Sequence, residues 1–487
     1  MNRASRTWHS VAQSAVVAAV VVCTFITAVV VAVSLPAAQA AASPTSTSVA
    51  PAHCSPPAAG AGWQTATARQ AGLDQRRLDD AIAFAASRMR TFVQVFRNNC
   101  LVGNGPANQL TGSTPWNLFS STKSVVSMLA GIAVTHGKLD LDASIARYLP
   151  AGEVDRAHAA ITVKDLLTQT SGLRQSIVTE AATAGLDLDP DIAKQALALP
   201  VTHQPGTFFE YTQHGPDLHA YVVQRAVGED LQSFAQRELF TPLGIESSDY
   251  YWARDRSGHT YGSAFLYMPP ADYPKLGMLM ADDGMWGSTR IISHDYIAAL
   301  RTPSPANRCY GYLFWLNAKP CTGPSFPSRK TIDMAPLEGL PSDAYAMVGL
   351  LQQNNFIVPS LGLLVSWTGV LGDVSPDPAT VLSAGVNSEL YHDFFRILIA
   401  AFTSPRLPDP GPYRPSVNLD VDPMQFTDPS ITLGALGVGP YAPKNCTVVS
   451  CGTTPLRAPF QHNPGCFAIA CIPVPPGSPR SVTGGSG

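Results

Sequence analysis

The sequence contains little charge, and lysine is especially scarce. Charged residues make up 14% of its 487 residues, only eight residues are lysines, and no block of basic residues interrupts the chain. Because nucleic-acid-binding domains carry clustered lysine and arginine, we expect no nucleic-acid partner. The Gly-x-Ser-x-Gly, His-Glu-x-x-His and phosphate-loop patterns are also missing from the sequence, which argues against lipase-type, metalloprotease and nucleotide-binding functions.

The composition instead suits a large folded core, since hydrophobic residues make up 45% of the chain and the net charge is −3. This length and composition predict one large domain or two closely packed ones. Residues 41–67 are rich in alanine, proline, serine and threonine and predict a linker. Residues 68–403 form the main domain, and the proline- and glycine-rich residues 404–487 predict a largely irregular tail that contains disulfides.

The N-terminus is typical of an export signal. Arg3, Arg6 and His9 precede an uncharged apolar run over residues 15–35, and residues 38–40 form a small-x-small cleavage site. The run is also about long enough to span a bilayer. We therefore expect an exported protein, secreted or held in the cell envelope, whose residues 1–40 are either removed as a signal peptide or retained as a transmembrane anchor.

The cysteines favour disulfides over metal binding. Nine are present, and setting aside Cys23 in the apolar run leaves an even number in a chain that we expect to be exported. Zinc, with His462 as the only histidine near the last cysteines, is the less favoured alternative. The spacing suggests the pairs Cys54–Cys100, Cys309–Cys321, Cys446–Cys451 and Cys466–Cys471.

Hydrophobic periodicity places strands at both ends of the main domain and helices between them. Residues 91–96 alternate as a strand does, and residues 344–351, 355–358 and 363–368 predict three antiparallel strands before a helix over residues 390–402. We therefore predict an α+β fold. An antiparallel sheet is built from both chain ends and flanked by helices, with a mostly helical second subdomain inserted.

A short polar stretch followed by an apolar helical run carries the strongest candidate for chemistry. Residues 117–124 read Asn-Leu-Phe-Ser-Ser-Thr-Lys-Ser, and the apolar run continues to a helix end near Gly137. Ser120 and Lys123 then lie one helical turn apart, and Lys123 is the only lysine with a serine three positions before it. Burial would lower the pKa of this lysine and let it accept the serine proton. The alternative is a capping serine followed by a surface lysine.

Several stretches resemble, in the same order, the serine β-lactamase and penicillin-binding-protein superfamily. The resemblance is to its class-C-like branch, which includes esterases, D-amino-acid peptidases and 6-aminohexanoate-dimer hydrolases. It covers roughly residues 68–403. The matching stretches are residues 119–124, 137–142, 148–150, 161–173, 205–207 with Tyr211, 242–244 and 310–315.

By this resemblance, three residues carry out catalysis. Ser120 would be the nucleophile that forms an acyl-enzyme, Lys123 its base, and Tyr211 a relay for the proton. The relay requires a cationic neighbour that lowers the pKa of the phenol, and Lys123 is the candidate. Gln213 stands where the family has asparagine and would contact substrate. We expect His214, beside it, to be an ordinary surface or loop residue.

The resemblance also implies an oxyanion hole, where this sequence departs from the family pattern. The backbone N–H of Ser120 would be joined by an N–H from the strand aligned with residues 349–353. Gly349 is retained, but Leu351 and Gln352 stand where the family has glycine. Backbone N–H groups survive such changes, but two outcomes stay open for the bulky side chains: they narrow the cleft or they block it.

The implied function is hydrolysis of an ester or amide bond by acyl transfer, with no metal and no organic cofactor. The substrate would be a small molecule or a peptide. An esterase or amide hydrolase is favoured over a true β-lactamase, because the family's carboxylate-binding Lys-Thr-Gly is missing. Two alternatives stay open: a D-amino-acid or cell-wall peptidase of the penicillin-binding type, and a non-catalytic envelope-binding protein on the same fold. The sequence leaves the oligomeric state open.

Overall fold

The computed structural model describes most of the chain beyond the export signal. The described residues are 52–322, 331–373, 388–415, 423–461, 465–466 and 470–471. The expected signal or anchor over residues 1–40 lies outside the described residues, as does His462. Within the described chain, no helix is both long and apolar enough to span a bilayer.

Strands lie near the two ends of the main domain, and helices fill the middle. The strands are β1 (Arg90–Arg97), β2 (Cys100–Asn104), β3 (Trp116–Asn117), β4 (Tyr251–Trp252), β5 (Leu266–Met268), β6 (Met285–Trp286), β7 (Thr289–Arg290), β8 (Trp315–Leu316), β9 (Tyr345–Gly349), β10 (Gln353–Val358) and β11 (Leu363–Gly369). The helices are α1 (Gln75–Ser87), α2 (Asn108–Thr111), α3 (Ser121–Thr135), α4 (Val163–Leu167), α5 (Ile177–Gly185), α6 (Ile192–Ala198), α7 (His214–Val227), α8 (Leu231–Ala235), α9 (Tyr273–Ala281), α10 (His294–Leu300), α11 (Glu389–Ile399), α12 (Pro423–Phe426) and α13 (Pro429–Ala435).

The main sheet joins the two ends of the domain. Its six strands lie in the order β2-β1-β11-β10-β9-β8, and every neighbouring pair is antiparallel. Strand β1, from the start of the domain, pairs with β11, from its end, and Val95 lies opposite Val365. The predicted α+β architecture, with a sheet built from both chain ends, is therefore confirmed.

The two faces of this sheet pack against different helices. Because side chains alternate across a strand, Phe356 and Val365 face the core formed with α1 and α11. Ile357 and Leu364 face the opposite core, formed with α3, α9 and the helical subdomain. Helix α3 therefore lies between the sheet and the subdomain.

Helix α3 is the reactive helix that the sequence predicts. It begins directly after Ser120, and every residue from Ser121 to Ala133 is buried. This burial explains why Lys123 is the only charged residue in the helix. A charged side chain inside such a helix is costly unless the chemistry or its hydrogen bonds compensate.

The disulfide pairing follows the predicted pattern. The bonds are Cys54–Cys100, Cys309–Cys321, Cys446–Cys451 and Cys466–Cys471. The first of them attaches the stretch expected to be a linker to strand β2. Sulfurs paired in this way are not zinc ligands, and four disulfides indicate an oxidising compartment of the kind that exported proteins reach.

The described part of the tail is ordered against the main domain. Residues 423–461, called the C-terminal segment below, contain α12 and α13. Arg457 donates hydrogen bonds to both carboxylate oxygens of Asp187, at 2.5 and 2.6 Å, and Arg174 donates to Asp428 at 2.5 Å. Both aspartates are buried. The contacts that order this segment join residues far apart in the chain and leave no periodic pattern in the sequence. For this reason the sequence alone predicts an irregular tail.

Arg457→Ala should weaken the attachment of the C-terminal segment. Removal of the guanidinium leaves the fully buried Asp187 carboxylate without its main partner, so we expect the free energy of unfolding to fall by about 2–4 kcal/mol. Urea denaturation of the folded chain measures this change.

Arg237→Ala is the matched control. Arg237 forms an ion pair with Glu229 in which both side chains are partly exposed, and such surface pairs contribute little to stability. Equal effects of the two substitutions would show that the Arg457 ion pair does not hold the segment in place.

Candidate active site

A tight turn presents the candidate nucleophile at the start of α3. The Asn117 side chain accepts a hydrogen bond from the Phe119 backbone N–H at 2.8 Å, and Phe119 has a φ of +46°. A non-glycine residue rarely adopts this left-handed conformation, and such strain is often found at functional sites. The turn leaves Ser120 partly exposed as the N-cap residue of a buried helix.

Lys123 lies one turn into the helix and contacts the nucleophile. Its Nζ is 3.2 Å from the Ser120 Oγ, and it also donates to the Gln213 Oε1 at 2.5 Å and to the Ser263 carbonyl at 2.9 Å. The side chain is only 1% exposed. Burial lowers the pKa of Lys123 to about 7, while the negative charges of Asp217 and Glu180 act in the opposite direction. The alternative of a surface lysine is therefore wrong.

Tyr211 completes the contact with the nucleophile from a distant loop. Burial raises the pKa of Tyr211 above its ordinary value, although a side-chain hydrogen bond with Ser120 lowers it in part. The Lys123 Nζ lies 4.8 Å from the centre of the tyrosine ring, over its face. The pKa of this phenol is therefore raised, contrary to the expectation that Lys123 would lower it, because the loss of solvent outweighs the hydrogen bond with Ser120. Tyr211 remains a neutral phenol at neutral pH.

Gln213 takes its place in the site from the start of α7. It is the N-cap residue of that helix, and its side-chain oxygen accepts the Lys123 hydrogen bond. The structure thus brings together four of the predicted site residues: Ser120, Lys123, Tyr211 and Gln213. In this arrangement Gln213 contacts the lysine directly, which adds to its predicted contact with substrate.

The end of β9 meets the segment that precedes the nucleophile. A Cβ atom added at Gly349 would lie 2.2 Å from the Leu118 carbonyl oxygen, so only glycine permits this approach. Ser121 Oγ also donates to the Gln353 carbonyl at 2.8 Å. The end of β9 and the start of β10 are therefore in direct contact with the start of α3, as an oxyanion hole between them requires.

Leu351 and Gln352 lie in the turn after β9, both with positive φ. Their carbonyl groups accept hydrogen bonds from Arg90, at 2.8 and 2.9 Å. The Gln352 side chain donates to Asp373 and Ser388. The side-chain amide of Gln352 is thus bound by residues before and at the start of α11. Of the three residues Gly349, Leu351 and Gln352, it is Gly349 that contacts the segment before Ser120.

An aromatic cluster backs Tyr211. The Trp315 ring centre lies 5.9 Å from that of Tyr211, and Tyr310 packs edge-to-face against Trp315 at 4.8 Å. All three side chains are buried. The cluster fixes the phenol and excludes water from its ring, which is the physical cause of its raised pKa.

Three groups that support the site carry no local sequence signal. The Ser263 carbonyl binds Lys123, the Asp217 carboxylate accepts the N–H groups of Gly262 and Ser263 at 2.8 Å each, and Glu180 accepts the N–H of Gln213 at 2.6 Å. They come from loops and helices far apart in the chain.

His214 differs from the expectation of an exposed or loop residue. It is 5% exposed, and its Nδ1 lies 3.4 Å from the Glu180 carboxylate. The sequence signal for this buried polar network was the presence of an acid, Glu180, and a histidine, His214, among the apolar residues of α5 and α7.

Among the described residues, one group of side chains has the composition of a metal site. Asp191, Asp255 and His259 place their ligand atoms within 4.8 Å of one another. Asp191 already forms an ion pair with Lys194 at 2.9 Å, and Asp255 accepts the backbone N–H of Ile192. The group is thus a network of internal contacts around the start of α6.

Gly349→Ala should disrupt the contact between β9 and the nucleophile turn. The added methyl group cannot fit beside the Leu118 carbonyl, so either the strand or the turn must shift. We expect a loss of about 1–3 kcal/mol in stability and a fall of about tenfold or more in acylation of Ser120. Urea denaturation and probe labelling measure the two effects.

Gly62→Ala is the matched control, because nothing lies within 4 Å of the added Cβ and its φ is ordinary. If Gly349→Ala retains the labelling rate of this control, the end of β9 does not shape the reactive site.

Comparisons with known proteins identify the family to which the chain is similar. A family model described as Beta-lactamase matches residues 76–372. Esterase EstB of Burkholderia gladioli is 27% identical over 194 residues, which cover 37% of this chain and 48% of the esterase. Lovastatin esterase of Penicillium rubens is 30% identical over 210 residues, which cover 38% of this chain and 52% of that enzyme. The chain thus spans about half the length of these curated relatives.

A solved structure agrees at the level of the fold. A crystal structure from Bacteroides dorei, described as a proposed β-lactamase, matches with a TM-score of 0.52 at 18% identity and covers 67% of this chain and 99% of that chain. This similarity concerns the fold alone. The family match extends over more than half of the chain and includes the Ser120 helix, the Tyr211 loop and the β9–β11 strands. The chain therefore belongs to the β-lactamase family.

Proposed function

We propose that the protein is an exported serine hydrolase that cleaves an ester or amide bond through an acyl intermediate on Ser120. The observation that carries the proposal is the buried amine of Lys123, 3.2 Å from the Ser120 hydroxyl. A lysine with its pKa near 7 is neutral in a large fraction of molecules at neutral pH and can accept the serine proton. The four disulfides support the exported location.

The reaction would proceed in two balanced halves. The Ser120 oxygen bonds to the substrate carbonyl carbon as its proton passes to Lys123. The bond from that carbon to the leaving oxygen or nitrogen then breaks. The proton held by Lys123 passes to the leaving group through Tyr211, and the lysine is neutral again. Water then adds to the acyl carbon and transfers a proton to the lysine. The bond to Ser120 breaks, and the proton returns to the serine oxygen, which releases the acid.

Tyr211 would serve this reaction as a neutral relay. Because its pKa is raised, the phenol cannot act as a standing base, but it can donate its proton while it accepts another. The base is therefore Lys123, and the two groups have separate roles at one hydroxyl.

The substrate would be an ester in preference to a β-lactam or a carboxylate-bearing peptide. The Lys-Thr-Gly that binds carboxylates in the family is absent, and Leu350, 64% exposed, follows Gly349 at the end of β9. The names of the two relatives, both esterases, point the same way. The acyl group that best fits such surroundings is uncharged.

Ser120→Ala should abolish labelling by a fluorophosphonate probe and hydrolysis of p-nitrophenyl esters. The substitution removes the atom that bonds to the substrate, so we expect activity to fall by about a thousandfold or more. Mass spectrometry of the labelled wild-type chain should place the adduct on the peptide that contains Ser120.

Ser87→Ala, at the exposed end of α1, is the control and should label as the wild type does. Absence of labelling of the wild type by fluorophosphonate, penicillin and ester probes alike would favour a binding protein on the same fold. Labelling by penicillin alone would favour a penicillin-binding peptidase.

The rate of acylation should rise with pH through a midpoint near 7. Below the midpoint Lys123 is an ammonium and cannot accept the Ser120 proton, so the rate falls as the pH decreases. Stopped-flow measurement of ester acylation between about pH 5 and pH 9 gives the profile.

Lys123→Arg keeps a cation that does not lose its proton in this range, so it should remove the rise and most of the activity. A wild-type rate that does not change across the range would exclude Lys123 as the base.

A further inference from the structure

A buried acid lies directly beneath the start of α7. Glu180, on α5, is 2% exposed. One of its carboxylate oxygens accepts the backbone N–H groups of Gln213 and His214, at 2.6 and 3.2 Å. The other accepts the N–H of Ser176 at 2.8 Å and lies 3.4 Å from the Nδ1 of His214. These four contacts engage both oxygens.

The charge of this acid is retained in the buried environment. Burial raises the pKa of Glu180, but the nearby His214 and the backbone N–H groups lower it below its ordinary value. Burial lowers the pKa of His214, but Glu180 raises it to about 9 by its charge and hydrogen bond. Both groups are thus charged at neutral pH, and the positive end of the α7 dipole favours the carboxylate.

The next residue in this chain of contacts is Gln213. Its backbone N–H is bound by Glu180, and its side chain binds the Lys123 Nζ at 2.5 Å. Glutamine is one methylene longer than the asparagine of the family and has one more rotatable bond, so a fixed backbone lowers the entropy cost of holding its amide against the lysine. Glu180 supplies that fixed point.

We propose that Glu180 is a positioning residue that holds Gln213 against Lys123 and thereby keeps the lysine in line with Ser120. The proposal rests on the function proposed above. Glu180 does not contact Ser120 in this arrangement and acts through Gln213. Its negative charge also faces the buried Lys123 and contributes to the field at the amine.

The fold around Glu180 is held by other contacts. Helix α5 is joined to the C-terminal segment through Thr179 and Thr432, whose hydroxyl oxygens are 2.9 Å apart. The chain after α5 is fixed by the two hydrogen bonds between Asp187 and Arg457. The position of α5 therefore does not depend on Glu180 alone, and a substitution there should leave the chain folded.

Glu180→Gln tests the proposal by removing the charge while keeping the shape. We expect the rate of Ser120 acylation to fall by about 10- to 100-fold, with a smaller change in KM, because the geometry of the amine is lost and substrate binding is not. Glu180→Asp keeps the charge and should recover part of the rate. Glu246→Gln, at an exposed glutamate, is the control.

The pH profile separates positioning from a general loss of stability. The carboxylates that face Lys123 are Glu180 and Asp217, and both raise its pKa. The charges that face Glu180 and its partner are those of His214, Asp189 and Asp217. Removal of the Glu180 charge should lower the pKa of Lys123, so the acid side of the profile should move to lower pH while the maximal rate falls.

Each outcome is decisive. If a folded Glu180→Gln chain has the wild-type rate of Ser120 acylation and the wild-type midpoint of the pH profile, the positioning proposal is overturned and the hydrolase function is unaffected. Failure of both Glu180 variants to fold would also overturn it, because Glu180 would then be a structural residue. No labelling of the wild type would instead reject the hydrolase function itself. Circular dichroism and unfolding curves establish whether each variant is folded.

Discussion

The burial of a single amine at the mouth of a helix is the constraint on which this structure depends. Lys123 lies inside an otherwise uncharged helix that is packed between the main sheet and the helical subdomain. Its ammonium form is costly there, so the pKa falls, and in the proposed reaction the amine is the base for the hydroxyl one turn away. Three acceptors, from Ser120, Gln213 and Ser263, hold the amine in place.

In the proposed reaction, the surroundings of this amine give Tyr211 and Lys123 separate roles in proton transfer. A tyrosine and a lysine exposed to solvent could not be separated in this way. The aromatic cluster around Tyr211 excludes water and keeps the phenol neutral, which suits the relay role proposed for it. Backbone N–H groups and His214 compensate the burial of the Glu180 carboxylate and hold its pKa below the ordinary value. Burial instead raises the pKa of the Asp217 carboxyl to about 7, although it accepts two backbone N–H groups. The charge of these two groups prevents the lysine pKa from falling as far as burial alone would take it. In the proposed reaction the site thus combines a neutral proton donor with a weak, buried base.

The sheet contributes backbone groups to the candidate site. For this reason Leu351 and Gln352, which stand where the family has glycine, are compatible with the fold. Contact between β9 and the nucleophile turn requires a missing side chain only at Gly349. Leu351 and Gln352 come after the strand has ended, in a turn that Arg90 binds through their carbonyl groups. An N–H group at a strand edge is independent of the side chain attached to the same residue. The departure from glycine therefore alters what fills the space beside the cleft and leaves the close approach of the sheet in place.

The sequence by itself determined the parts that depend on local order: the strand and helix segments, the buried helix after Ser120, the Ser120–Lys123 spacing and the two short Cys-x4-Cys loops. Periodicity, helical geometry and the family motifs express these within a few residues of one another. Only the tertiary structure decided the rest. The direction in which the Tyr211 pKa shifts, the burial of His214 and the support of Gln213 by Glu180 depend on how much solvent is removed and on which distant segments meet. Both depend on contributions from many neighbouring residues that are distant in the sequence, so no single stretch of the sequence reveals them.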